Sequence, residues 1–92
     1  MEKGKELNLS DISAIQYGEL RHALGLDRNH KRPSRNYYYA YEPSPLWEDL
    51  VNKGFAKKLP GQRTGEVYYI VTFEAVKLVY RNNISFEYYY RL

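Results

Sequence analysis

The residues that could do chemistry crowd into one stretch of this 92-residue chain. The segment DRNHKRPSR, residues 27–35, sets Arg28, Lys31, Arg32 and Arg35 around His30, and Tyr37, Tyr38, Tyr39 and Tyr41 follow directly. Phosphate contacts call for several cations on long stems, because each phosphate neutralised releases condensed counterions. Tyrosine rings beside them offer a stacking surface worth about 1–3 kcal/mol per base, whatever the base. A second acid-free basic group follows in FAKKLPGQR, with Lys57, Lys58 and Arg63. Together these groups point to nucleic acid. An acidic protein surface would suit the same cations. The plain alternatives are a solvated loop and a lysine-guarded edge strand, a common protection against edge-to-edge pairing.

Other chemistries have little to work with. The absence of cysteine removes disulfides, thiolate ligands and cysteine nucleophiles. Two histidines, His22 and His30, fall short of a zinc site, so neither metal nor cofactor is expected. General acid–base work needs an oriented histidine, and no partner motif accompanies His22. Glu48 and Asp49 are adjacent and point apart on a helix, so they form no carboxylate dyad. A glycine-rich phosphate loop and a nucleophile elbow are both missing from the sequence. The expectation is a protein that binds and does not catalyse.

Charge and composition sharpen this. The net charge is only +3. It is unevenly spread: −2 over residues 1–20, +4 over 21–35, −3 over 36–52, +4 over 53–63 and zero beyond. Tyrosine occurs 11 times against three phenylalanines and one tryptophan. This aromatic tolerates half-burial, and binding surfaces favour it because it orders at low entropic cost. A small sheet that merely covers its faces with tyrosine is the simpler reading. No apolar run approaches the roughly 18 residues of a membrane span, and MEKGKE at the start lacks the apolar core of a signal peptide. One domain over residues 1–92 is expected, with 1–9 flexible, no membrane partner and a cytoplasmic location.

The elements that must position these residues follow from local signals. Ser10-Asp11 predicts a helix start, with Ile12, Ile15, Leu20, Ala23 and Leu24 as its stripe, Gly18 as a weak point and Gly25 as its end. Tyr37–Tyr41 predicts a strand with Tyr37, Tyr39 and Tyr41 on one face. Ser44-Pro45 opens a helix whose apolar face is Leu46, Trp47, Leu50 and Val51, closed by Lys53 and Gly54. Phe55–Leu59 and Val67–Thr72 predict a hairpin around two glycines. Thr72 is expected to cap a helix to about Arg81, and the alternation of Ile84, Phe86, Tyr88, Tyr90 and Leu92 predicts a final strand. The expected core is Leu20, Leu24, Trp47, Leu50, Val51, Phe55, Ile70, Val76 and Val79. The fold class is α+β.

From Leu46 to Arg81 the order LWEDLVNKG, FAKKL, a glycine-bearing turn, VYYIV and TFEAVKLVY resembles the second half of winged-helix proteins. There a helix ends in glycine, a two-stranded wing follows, and a threonine-capped helix comes next. The likeness spans 36 of the 92 residues. The segment LRHALGLDRNHKRPSRNYYYA is similar to a recurring stretch in small phage and prophage proteins. Departures matter here. A helix-turn-helix reader needs two helices joined by a turn of about three or four residues, whereas a basic loop and a tyrosine strand separate Leu24 from Leu46. The helix from Pro45 would present Glu48, Asp49 and Asn52 to the groove, and carboxylates repel phosphates. Nucleic acid would therefore fall to Arg28, His30, Lys31, Arg32, Arg35, Tyr37, Tyr39 and the wing residues Lys57, Lys58 and Arg63. The phage resemblance implies a bacterial host and a second possibility. This is a stoichiometric protein that binds and blocks a host defence machine, of the anti-CRISPR or anti-restriction type. A purely structural assembly subunit is a third.

Overall fold

A computed structural model describes residues 7–92. Residues 1–6, part of the stretch expected to be flexible, lie outside the described residues; Leu7 and Leu9 pack against the core. Asn8 caps a 3-10 helix, Leu9–Asp11, by accepting from the Ser10 amide. The first α-helix begins later than Ser10-Asp11 suggests. Ser13 and Gln16 form a reciprocal capping box, which opens α1, Ala14–Ala23. Gln16, Leu20 and Ala23 face inward, while Ile15 is exposed, so the stripe drawn through Ile15 is corrected. Gly18 lies within this single helix.

Four elements follow in the expected order: β1 (Tyr38–Ala40), α2 (Pro45–Asn52), β2 (Ala56–Pro60) and β3 (Val67–Val71). For α2, the Ser44 hydroxyl accepts from the Trp47 amide and Pro45 occupies the first turn, where a missing N–H costs nothing. The sheet is antiparallel with order β1-β3-β2. Its hairpin closes where the Gly61 amide donates to the Glu66 carbonyl at 2.7 Å. A Cβ on Gly61 would meet the Glu66 backbone at 2.6 Å, so this turn requires glycine.

α3 (Phe73–Tyr80) starts after Thr72, but that hydroxyl donates to the Gly54 carbonyl and leaves the first turn without a side-chain cap. The final segment departs from expectation. In place of a strand over 84–91 stands α4, Phe86–Tyr90, capped by Ser85. Alternation was the weaker signal because Phe86 gains Tyr89 and Tyr90 as helical neighbours three and four residues on, and Phe86 and Tyr89 both close on Phe73.

One face of the sheet carries the core. Val67, Tyr69 and Val71 of β3 point into it, against Leu20, Leu24, Trp47, Leu50, Phe55, Val76 and Val79 from the rest of the chain, all buried. Val51 and Ile70 are only half-buried, correcting two expected core positions. Ile70 belongs to the opposite face, because alternation along β3 turns Tyr69 inward in its place.

Candidate nucleic-acid interface

The tyrosine strand is set in place by a side chain acting as backbone. Asn36, just before β1, is buried and bonds Val71 twice. Its amide nitrogen donates to the Val71 carbonyl at 3.0 Å and its oxygen accepts from the Val71 amide at 2.8 Å. This extends the β1–β3 ladder by one rung and fixes the register of the tyrosines. Tyr39 stands opposite Tyr68, Tyr68 opposite Leu59, and Ile70 opposite Lys57. Directly opposed residues share a face. The sheet's second face therefore carries Tyr37, Tyr39 and Tyr41 from β1 and its flanks, Tyr68 and Ile70 from β3, and Leu59 and Lys57 from β2.

The rings on this face touch one another. Tyr39 and Tyr68 have centroids 4.7 Å apart, Tyr39 and Tyr41 5.9 Å, and Tyr37 and Tyr68 6.3 Å. Tyr37 is 46% exposed and Tyr41 80%. The Arg35 guanidinium lies 5.3 Å from the Tyr37 centroid, within cation–π range. At one side of the face, α4 stands off the sheet and leaves a groove of about 580 Å³, lined by Lys57, Leu59, Ile70, Phe73, Phe86 and Tyr90 among others. Tyr89 forms part of its wall and donates to the Val71 carbonyl at 2.7 Å. Burial pushes the Tyr89 hydroxyl pKa up, and the Glu74 carboxylate acts in the same direction, against an opposing contribution from Asn36.

The basic loop is held from beneath. Gly25 has a φ of 77°, and a Cβ there would collide with the Ser34 hydroxyl, so glycine lets the loop fold back. The Ser34 amide donates to the Leu24 carbonyl and the Tyr37 amide to the Ala23 carbonyl. Tyr80 donates to the Lys31 carbonyl at 2.7 Å and Tyr88 to that of the buried Pro33. With its backbone fixed, the loop exposes Arg28, His30, Lys31 and Arg32. Its one acid is engaged: Asp27 meets His22 Nδ1 at 2.7 Å, a hydrogen bond that holds the Asp27 carboxyl below its ordinary value. Arg35 is partly buried and donates to the His22 carbonyl at 2.9 Å.

The predicted site residues thus separate into groups. Arg35, Tyr37, Tyr39 and Lys57 lie on or beside the open face, with Arg28, His30, Lys31 and Arg32 in the loop leading to it. Arg63 is exposed in the hairpin turn, and its neighbour Gln62 donates to the Tyr68 hydroxyl at 3.3 Å, which ties the turn to the rings of the open face. Lys58 stands apart. Strand alternation turns it toward the helices, where it pairs with Glu48 at 2.8 Å. That ion pair and a hydrogen bond from Tyr69 hold the Glu48 carboxyl below its ordinary value. The α2 acids are both occupied, since Asp49 binds Lys53 and Gln16. Sequence reasoning left Tyr41, Tyr68, Leu59 and Phe86 out of the site. Alternation within VYYIV, combined with the pairing of three strands, is the signal that would have found Tyr68.

Among the described residues no group of three or more His, Asp or Glu side chains could hold a metal ion, and no helix is long and apolar enough to cross a membrane. No family model, curated protein or solved structure matches the chain.

Proposed function

We propose that this chain is a non-catalytic, phage-type binding domain that holds single-stranded nucleic acid on the open face of its sheet, inside a bacterial cell. The observation that carries this reading is the ring row Tyr41–Tyr39–Tyr68–Tyr37, with the basic loop at one end and Arg63 beyond the other. Bases freed from a duplex can stack on such rings, while cations on either side meet the phosphates. Paired bases keep their faces covered, so a duplex gains only the phosphate contacts. In this reading α2, the β2–β3 hairpin and α3 are the winged-helix part, and the wing contributes Lys57 and Arg63 rather than Lys58. Fluorescence anisotropy with labelled single strands and the matching duplex tests it. Tighter single-strand binding that weakens steeply with salt is expected. Equal or absent binding of both would overturn it.

A second reading is favoured by the exposed apolar side chains Leu59, Phe86 and Tyr90, which suit a protein partner. There the chain blocks a host defence machine by stoichiometric contact. Capture of one host protein that survives nuclease treatment, by a chain that binds no free nucleic acid, would promote it over the first.

A further inference from the structure

The groove beside the ring row is built differently from the row itself. Leu59 and Ile70 share the sheet face with the row and also line the groove, so a strand lying across the tyrosines runs on into the groove without a break. Stacking on the row is indifferent to base identity, because every base has a π-face. Inside the groove a base would be enclosed by Phe73, Phe86, Tyr89 and Tyr90. About 580 Å³ also lies within the roughly 300–1,000 Å³ of small-molecule sites. Two oppositely charged side chains share its lining: Lys57 from β2 and Glu74 from the first turn of α3. Neither has a hydrogen-bond or ion-pair partner among the described residues. The lysine suits a phosphate. The carboxylate would repel a phosphate, and as an acceptor-only group it needs donors.

Neutral bases differ in the donors they offer. On its pairing edge guanine presents two parallel N–H groups, from N1 and N2, which match the two oxygens of a carboxylate. Adenine and cytosine each present one amino donor beside a ring-nitrogen acceptor. Uracil and thymine present one N–H between two carbonyls. Both acceptor-bearing patterns place lone pairs against a carboxylate oxygen. Resting on the single-strand reading above, we propose that the groove is a guanine pocket: Glu74 accepts from N1–H and N2–H of one unstacked guanine, the aromatic wall stacks on its ring, and Lys57 meets the adjoining phosphate. The ring row then supplies general affinity and Glu74 supplies base preference.

Oligouridylate and oligothymidylate of about eight nucleotides, each with and without one central guanine, test this by anisotropy at fixed salt. The guanine-bearing strand is expected to bind about tenfold tighter, in line with the discrimination a good two-point base contact provides. Glu74→Gln replaces one acceptor with a donor at an exposed position. It is expected to abolish the guanine advantage without weakening binding of the plain oligomer, since a carboxylate that repels phosphate is removed, and Phe86→Ala is expected to reduce the same advantage. Equal binding of both oligomers, a larger gain from cytosine or adenine at the central position, or a guanine advantage that survives Glu74→Gln would each overturn the pocket and leave the ring-row reading standing. No binding of any strand would overturn both.

Discussion

The two faces of the same three-stranded sheet use one residue type in opposite ways. On the covered face Tyr69 is fully buried, and its hydroxyl donates to Glu48 at 2.6 Å and accepts from the Ser44 amide at 3.1 Å. Tyr38 lies flat on Trp47 with centroids 5.3 Å apart and 7° between planes. Tyr69 is thus a core residue whose polar end is satisfied inside the fold, and Tyr38 is half-buried with its ring packed against that core. On the open face Tyr37, Tyr39, Tyr41 and Tyr68 contact mainly one another, at tilted and edge-on angles. Tyrosine count alone therefore says nothing about function. What separates the two sets is whether the ring packs onto the buried core, as Tyr38 and Tyr69 do through Trp47.

The comparison breaks first on stability. Trp47 is fully buried under the covered face, and Trp47→Ala is expected to cost about 3–5 kcal/mol in denaturant unfolding. A change below about 1 kcal/mol would show that this face is not the core. Tyr69→Phe is the subtler probe. It leaves the Ser44 amide without its acceptor and Glu48 with Lys58 alone, a loss of roughly 1–3 kcal/mol. The parent also has an alkaline signature. Burial, with Glu48 alongside, pushes the Tyr69 hydroxyl up to about 12 from 10.0. The unfolded chain then releases this proton first as pH rises, so its contribution is complete below pH 10 and is lost on the way to about 12. Melting temperatures across that window should fall less steeply in Tyr69→Phe than in the parent.

On the open face the expected effects reverse. Tyr39→Ala removes one cross-strand ring contact, worth about 0.2–1 kcal/mol to the fold. It should weaken single-strand binding by about 1–3 kcal/mol. Because stacking releases no counterions, the salt dependence should stay where it was. Titrations of parent and variant at several salt concentrations separate the two quantities. A variant that binds as the parent does would take the ring row out of the interface.

How far this division could be read from sequence depended on where the deciding partner sits. The helix α2 was legible because Ser44, Pro45, Lys53 and Gly54 are local signals that need nothing from the rest of the chain. The alternation of Tyr37, Tyr39 and Tyr41 was legible for the same reason. The inward face of β3 was not: an isoleucine outranks a tyrosine as a core residue until Glu48 and the Ser44 amide, about twenty residues earlier, are known to receive the hydroxyl. The C-terminal alternation misled because Phe73, more than ten residues upstream, decides between a strand and a short helix. The groove depends on that same helix, so no local pattern announced it.

Lys57 and Lys58 give the finest test, since neighbours on one edge strand face opposite sides. Lys57 lines the groove on the open face, and Lys57→Ala should lower the slope of log affinity against log salt by about 0.7, one phosphate's worth on a single strand. Lys58 serves the covered face through Glu48, and both side chains are more than a third exposed. Lys58→Ala should therefore leave the slope unchanged and cost at most about 1 kcal/mol of stability. Its effect should also depend on pH. Lys58, and Tyr69 after it, hold the Glu48 carboxyl below its ordinary 4.5. A lowered pKa in the fold stabilises above 4.5, and that stability is lost as pH falls through the folded value. Parent and Lys58→Ala should thus differ in melting temperature at pH 7 and converge as the pH is taken well below 4.5. A salt slope that drops equally in the two variants would mean that both lysines reach the strand, and the assignment of Lys58 to the covered face would be lost.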